Sequence, residues 1–199
     1  MDSLQGWWGY YFKLDSVFEV LQSLPEERQK ETKNHELFIT WVVARFLQWQ
    51  TGSEHAIGFP SLEGRDDLTL RSLLNGVATI DDEDFDTVMI DTREPEREMR
   101  LQIKRYMRRQ HPSTDDFFKF MRSKVERYGD SPKLCVVFDI REEMGFDLRR
   151  FAQLLRGQTF KVGSIVAFIK TKSEWKCGLL SIHPEFSGKV WGPDSESKG

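Results

Sequence analysis

The amino-acid sequence predicts an α/β fold, in which helices pack against a central sheet. Residues 84–91 and 98–107 alternate apolar and polar side chains, as two paired strands do. Residues 113–129 then have the periodicity and the end signals of a helix. Residues 133–140, KLCVVFDI, are a continuous apolar run, which is typical of a strand buried on both faces. Strands and helices that alternate along a chain in this way form layers around a shared core.

The N-terminal region, residues 1–34, is predicted to be an aromatic-rich helical extension. A dense group of aromatic residues precedes a helical pattern, and its members are Trp7, Trp8, Tyr10, Tyr11 and Phe12. Exposing so many rings to water is costly. We therefore expect the rings to dock on the core of the chain itself. The alternative is that they bind a protein partner or a second copy of the chain.

The first long helix is predicted at residues 35–50, HELFITWVVARFLQWQ, because apolar residues lie on most of its faces. Gly52 is in the position of a helix stop. Residues 56–76 then predict a short apolar run, a turn and a short helix that ends at Gly76. The polar segment TREPER, residues 92–97, separates the two alternating strands and favours an antiparallel hairpin.

The C-terminal half continues the alternation of helices and strands. The helix at residues 113–129 has Ser113 or Thr114 as its expected N-cap. Residues 147–158 predict an amphipathic helix, and the apolar runs at residues 164–172 and 176–183 predict two more strands. These elements complete the predicted sandwich of helices and sheet.

One folded domain is predicted at residues 35–185, followed by a flexible tail at residues 186–199 in which Trp191 is the one residue expected to dock. The net charge of -3 gives no global signature of nucleic-acid binding, so any site for a polyanion must be local. Cys135 and Cys177 lie inside apolar runs, which indicates reduced thiols. The sequence has no signal-peptide pattern and no apolar run long enough to span a bilayer, so we expect a cytoplasmic protein that does not contact a membrane.

A candidate active site lies on the predicted hairpin. Gln102 and Lys104 are two residues apart on one strand, so their side chains share a face. Among the acidic residues that begin the preceding strand, Asp86 is the preferred carboxylate because Val88 and Ile90 continue its face into apolar surroundings, and Asp91 is held in reserve. Cross-strand contact would bring the carboxylate near the ammonium group. A carboxylate, a second oxygen ligand and a nearby cation are the parts that a hydrolytic metal site needs.

The pattern Asp86, spacer, Gln102-Ile103-Lys104 resembles the Asp…(Asp/Glu/Gln)-x-Lys signature of the PD-(D/E)XK nuclease superfamily, in the Gln-x-Lys variant of Mrr-like and prokaryotic defence nucleases. The resemblance implies a restriction-endonuclease-like αβββαβ core, with a central mixed sheet flanked by helices. The Pro-Asp dipeptide of the family is absent, and a helix-like segment, residues 67–76, stands where the first strand is expected.

The same resemblance assigns roles to four residues. Asp86 would be the principal ligand of Mg²⁺ or Mn²⁺, and Gln102 would contribute its side-chain carbonyl oxygen. Lys104 would organise the attacking water, and Glu36 on the first helix would lie beside the metal. Basic residues around the hairpin are the candidates for binding DNA phosphates, and they are Arg100, Arg105, Arg108, Arg109 and Lys119. The alternative for these cations is a solvated basic face balanced by the acidic strand.

The function expected from the resemblance is metal-dependent cleavage of DNA by an endonuclease, in prokaryotic anti-phage defence or restriction and together with partner subunits. Two alternatives belong to other classes of protein. The first is a catalytically inactive nuclease-like fold that serves as a nucleic-acid-binding or protein-interaction subunit. The second is an adaptor whose aromatic N-terminus assembles a larger complex.

Overall fold

Helices and strands alternate along the chain in a computed structural model, which confirms the α/β class. The chain divides into two compact units, residues 1–102 and residues 103–199. None of the described helices is long and apolar enough to cross a membrane. The structure describes residues 3–6, 9–25, 27, 32–58, 87–94, 98–106, 113–140, 146–170, 177–187 and 190–191.

In the first unit, helices accompany a series of antiparallel strands. In chain order the elements are β1 (Ser3–Gly6), β2 (Gly9–Lys13), α1 (Leu14–Ser23), α2 (Thr32–Thr51), β3 (His55–Gly58), β4 (Thr87–Asp91) and the first half of β5 (Met99–Tyr106). Each of these strands pairs antiparallel with the next. The predicted long helix and the predicted hairpin are therefore confirmed. The N-terminal region begins as a β-hairpin and becomes helical only at Leu14.

The strand register decides which side chains share a face of this sheet. Partners on neighbouring strands point the same way, and successive residues of one strand point opposite ways. One side, which we call the Thr87 face, is formed by Phe12, Ile57, Thr87, Met89 and Leu101. The other side, which we call the Val88 face, is formed by a buried cluster of Tyr11, Ala56, Val88 and Ile90. Both faces of this sheet are therefore covered by apolar side chains.

A buried hydrogen bond holds α2 against the Thr87 face. The hydroxyl oxygens of Thr40 and Thr87 are 2.9 Å apart, and the Thr40 hydroxyl donates to the carbonyl oxygen of Glu36, also at 2.9 Å. A hydroxyl has one proton, so Thr87 is the donor to Thr40. At its other end α2 stops where the sequence predicts. Gly52 has a φ of +68°, and its N–H donates to the carbonyl oxygen of Gln48 at 2.8 Å.

Two aromatic residues of the N-terminal region dock on the sheet. Tyr11 and Phe12 in β2 are both buried. A Cβ atom on Gly58, the partner of Tyr11 in β3, would overlap the tyrosine ring. Tyr11 therefore lies directly across the backbone of β3. Trp7 and Trp8 are outside the described residues.

The second unit contains a mixed sheet with helices. Its elements are the second half of β5, α3 (Thr114–Val125) with a 3₁₀ turn (Glu126–Tyr128), β6 (Ser131–Ile140), α4 (Leu148–Leu155), β7 (Val162–Lys170), β8 (Cys177–His183) and β9 (Val190–Trp191). β6 and β7 are parallel, whereas β8 is antiparallel to both of its neighbours, β7 and β9. The predicted helices and strands of this half are confirmed. Ser113 is the N-cap of α3, since its side chain accepts the N–H of Asp116 at 3.1 Å.

The core of the second unit is rich in phenylalanine. The ring centroid of Phe117 in α3 lies 4.9 Å from that of Tyr106, 5.8 Å from that of Phe138 and 5.6 Å from that of Phe151. Phe186, the first residue of the predicted tail, adds a ring 5.8 Å from Phe151. The tail also supplies β9, which pairs with β8. This part of the C-terminal segment thus belongs to the fold.

Gly163 is required where β6 and β7 approach each other. A Cβ atom at this position would overlap the carbonyl oxygen of Pro132, a backbone atom that cannot rotate away. We expect Gly163→Ala to lower the free energy of unfolding by about 2 kcal/mol or more, as overpacking does. At the control position, Gly52, a Cβ atom would meet nothing within 4 Å. Only its positive φ opposes Gly52→Ala, so a loss of roughly 1 kcal/mol is expected. Urea unfolding measures both, and equal losses would contradict the clash at Gly163.

Candidate active site

Gln102 is buried in β5, with 5% of its surface exposed. It follows Leu101, whose partner in β4 is Thr87. Because successive residues of a strand alternate, Gln102 points away from the Thr87 face. The glutamine of the predicted motif is therefore held inside the protein. A merely solvated polar face would have left it in water.

Lys104 and Tyr106 occupy the second half of β5, on either side of the exposed Arg105. Lys104 is half-buried, and its Nζ atom lies 6.0 Å from the ring centroid of Tyr128. Tyr106 is buried edge-on against Phe117 at a centroid distance of 4.9 Å. The strand face that the sequence predicts to be polar thus ends in the aromatic core under α3.

Asp86, the predicted principal ligand, lies outside the described residues, as do Arg108 and Arg109. The described part of the motif strand begins one residue later, at Thr87. Thr87 is held by α2 through Thr40 and by β5 through Leu101. The residue that follows Asp86 in the chain is therefore fixed on two sides.

Glu36 lies in α2, one turn before Thr40, and is half-buried. Its backbone carbonyl accepts the Thr40 hydroxyl, and Thr40 contacts the Thr87 face of the sheet. Gln102 points to the opposite side of the same sheet. The helix that carries Glu36 and the side chain of Gln102 are therefore on opposite sides of the sheet.

Asp91, the reserve carboxylate, lies at the far end of β4 from Thr87. One of its oxygens accepts the N–H of Arg93 at 2.9 Å, and His55 is its partner on β3. Burial by itself raises the pKa of Asp91. Hydrogen bonds from the Arg93 N–H and the Ser53 side chain, together with the charge of His55, outweigh burial and hold this pKa below its usual range. These contacts give Asp91 a structural role at the end of the strand.

The basic candidates differ in their surroundings. Arg100 forms an ion pair with Glu98, with 3.2 Å between Nε and Oε1. The same Glu98 also acts on Tyr11: burial, and then the charge of Glu98, raise the pKa of Tyr11 to about 12. Arg105 and Lys119 are exposed, on β5 and α3 respectively. Of the described basic candidates, Arg105 and Lys119 are therefore the more accessible to a polyanion.

Two contacts around the hairpin have little signal in the sequence. Thr40 is a polar, β-branched residue in a helix that is otherwise apolar on most faces, which is a weak sign of a buried polar contact. Tyr128 looks like an ordinary aromatic residue at the end of a helix. Its position next to Lys104 follows only from the tertiary structure.

No group of three or more histidine, cysteine, aspartate or glutamate side chains in the described part of the chain is arranged to hold a metal ion. The acidic start of the motif strand, residues 81–86, lies outside that part. No family model, no curated protein and no solved structure matches the chain. The side chains of the β4–β5 hairpin are therefore the basis for proposing a function.

The Thr40–Thr87 contact predicts an asymmetric mutational effect. Thr40→Val leaves the buried Thr87 hydroxyl without this acceptor, so we expect a loss of about 1–3 kcal/mol of unfolding free energy. Thr87→Val leaves Thr40 its bond to the Glu36 carbonyl, so the loss should be smaller. The double variant removes both hydroxyls and should be more stable than the sum of the single losses indicates. Chemical denaturation of the four proteins measures this cycle, and strict additivity would contradict the contact.

The lowered pKa of Asp91 predicts a pH dependence. A carboxylate whose pKa falls on folding stabilises the protein above its ordinary value of 3.8, and that contribution is lost as the pH falls through the lower folded value. The stability difference between wild type and Asp91→Asn should therefore be constant near neutral pH and shrink below 3.8. Glu19→Gln, at an exposed position in α1, is the control. Urea unfolding across this pH range tests the expectation, which a pH-independent difference would refute.

Proposed function

We propose that this chain is a Mg²⁺- or Mn²⁺-dependent DNA endonuclease with its active site on the β4–β5 hairpin. The observation that supports the proposal is the pairing of Thr87 with Leu101. Asp86 immediately precedes Thr87, and Gln102 immediately follows Leu101. Each of the two residues is thus adjacent in the chain to one member of this pair, and we propose on that basis that they act together.

The two side chains would then form one oxygen-rich site. Gln102 follows a residue of the Thr87 face, so its side chain points to the Val88 face. A carboxylate oxygen and an amide carbonyl oxygen are hard ligands that suit Mg²⁺ or Mn²⁺. The burial of Gln102 restricts its amide, which favours a preorganised ligand. When bound, the ion would supply Lewis acidity toward a phosphate oxygen.

Lys104 follows Gln102 by two residues and would act on the reacting water. In this proposal its ammonium group orients the water and offsets the negative charge that develops on the phosphate. Hydrolysis adds water across one P–O bond and leaves a phosphate monoester on one fragment and a hydroxyl on the other. Because Lys104 is not a metal ligand, its loss should lower the rate of cleavage more than it lowers metal affinity.

The order of elements is a second support for the PD-(D/E)XK resemblance. α2, β3, β4, β5, α3 and β6 follow one another as helix, three antiparallel strands, helix and strand, the order of an αβββαβ core. His55–Gly58 provides the first strand of that series. The helix-like segment, residues 67–76, would then be an insertion after this strand, and it lies outside the described residues.

The proposed ligand set departs from the family expectation at Glu36. α2 contacts the Thr87 face, whereas Gln102 points to the other side of the sheet. We therefore propose Asp86 and Gln102 as the protein ligands. Water molecules would complete the coordination shell, since Mg²⁺ commonly keeps several of them.

DNA is the proposed substrate because exposed cations accompany the hairpin. Arg105 lies in β5 next to Lys104, and Lys119 lies on α3. Such cations bind backbone phosphates without reading sequence. A role in prokaryotic defence or restriction, together with partner subunits, follows from the resemblance alone and is proposed on that basis.

The test is a cleavage assay on plasmid and single-stranded DNA with Mg²⁺, Mn²⁺ or EDTA. We expect cleavage with either metal and none with EDTA. Asp86→Asn and Lys104→Ala should each lower the rate by about a hundredfold or more. Calorimetric titration with Mn²⁺ should show lost binding for Asp86→Asn and retained binding for Lys104→Ala. Gln102→Glu, the commoner family form, should remain active.

Matched controls for this assay are Asp130→Asn and Lys133→Ala, which change exposed residues of the same two types. Equal residual cleavage in wild type, Asp86→Asn and Lys104→Ala would show that the activity comes from another site or another protein. Inactivity of the wild type with every metal and substrate would favour the alternative function. In that case the chain is a nuclease-like fold that binds nucleic acid or a protein partner without cutting.

A further inference from the structure

A ridge of half-buried side chains runs along α3 and into the turn that follows it. Phe120, Lys124 and Tyr128 recur at four-residue intervals, so they lie on one side of the helix. We call these three residues the aromatic–lysine ridge. The Nζ atom of Lys124 lies 5.4 Å from the ring centroid of Phe120. Phe117 and Met121 are fully buried in the core, and Phe120 and Tyr128 pack against that core while part of each side chain stays accessible.

The second half of β5 extends this surface. The ring of Tyr106 lies 5.6 Å from the ring of Phe120, and the Nζ atom of Lys104 lies 6.0 Å from the ring centroid of Tyr128. Tyr106, the later residue of β5, thus lies near Phe120, the first residue of the ridge, and Lys104 lies near Tyr128, the last. The strand and the helix therefore run in opposite directions. The result is two half-buried rings, each with an ammonium group near it: Lys124 at Phe120 and Lys104 at Tyr128.

Rings that alternate with cations are the chemistry that binds single-stranded nucleic acid. Unpaired bases stack on aromatic side chains, and lysines neutralise the phosphates between them. Two carboxylates of α3 and its turn make local contacts. Asp116 accepts the Ser113 hydroxyl at 2.6 Å, and Glu126 accepts Nε of Arg122 at 2.6 Å. Glu126 is thus paired with a cation, and Lys104 and Lys124 place positive charge beside the two rings.

We infer that the aromatic–lysine ridge binds single-stranded DNA, with unpaired bases stacked on Tyr128 and Phe120 and phosphates neutralised by Lys124 and Lys104. This inference deepens the proposed function and rests on it, because Lys104 belongs to both sites. In a duplex the faces of the bases are stacked on one another and cannot reach a ring. Duplex DNA would keep only the phosphate contacts. The substrate of the hairpin site is accordingly single-stranded DNA or a single-stranded segment of a duplex.

The test measures binding without cleavage. Fluorescence anisotropy of a labelled oligothymidine and of a blunt duplex of equal length is recorded in EDTA with the full chain. Stacking of one base should make the single strand bind about fivefold or more tightly than the duplex. A wild-type protein that binds both equally, or that binds no oligonucleotide, would overturn the inference. Tighter binding of oligouridine than of oligothymidine would overturn the assignment to DNA.

Variants separate stacking from charge. Tyr128→Leu should weaken oligothymidine binding about fivefold or more, whereas Tyr128→Phe, which keeps the ring, should bind like the wild type. Lys124→Ala should reduce the slope of log affinity against log salt by about 0.7. Arg156→Ala, which removes an exposed cation next to α4, is the matched control and should leave binding unchanged. Circular dichroism melts establish that each variant is folded.

The outcomes distinguish this inference from the proposed endonuclease. Cleavage by the wild type together with unchanged binding by folded Tyr128→Leu would overturn the ridge and leave the endonuclease standing. Selective binding of oligothymidine that depends on Tyr128, with no cleavage under any metal, would support the ridge and refute the endonuclease. Lys104 is excluded from the binding variants, because it belongs to the proposed catalytic site.

Discussion

The pairing of Thr87 with Leu101 is the constraint on which the arrangement of the first unit depends. Side chains of a strand alternate with a period of two, so a slip of one residue would exchange the two faces of the sheet. Both faces are buried, with Met89 on one and Val88 on the other. A slip would also separate the Thr87 hydroxyl from Thr40. Packing on both faces and one buried hydrogen bond therefore enforce the same register.

This register gives the two faces different roles. The Thr87 face receives α2 through Thr40, so the helix supports the hairpin from one side. Gln102 points to the other side, where its amide is buried within β5. At the far end of β4, Asp91 is occupied by backbone and side-chain donors and supports the turn. The contact with α2 is thus on one face of the hairpin, the proposed site is on the other face, and Asp91 stabilises the far end of β4.

In the second unit, two sides of α3 have different surroundings. Phe117 and Met121 fill the core and need no exposure. Phe120 and Tyr128 keep part of their rings accessible beside lysine side chains. Half-buried rings contribute less apolar burial than core rings do. These two rings nevertheless pack against the same core as Phe117.

The sequence by itself determined the long helix α2, the β4–β5 hairpin and the elements from α3 to β8, because these depend on local signals such as the alternation in residues 98–107 and the Ser113 cap. It did not predict the strands β1, β2 and β9. The spacing of Gln102 and Lys104 on one strand also came from the sequence alone. Only the tertiary structure decided that α2 covers the Thr87 face, on the side of the sheet opposite to Gln102. It also decided that Gln102 is buried. The reason is that burial and contacts depend on residues distant in the chain: Thr40 and Thr87, which set the position of α2, are 47 residues apart.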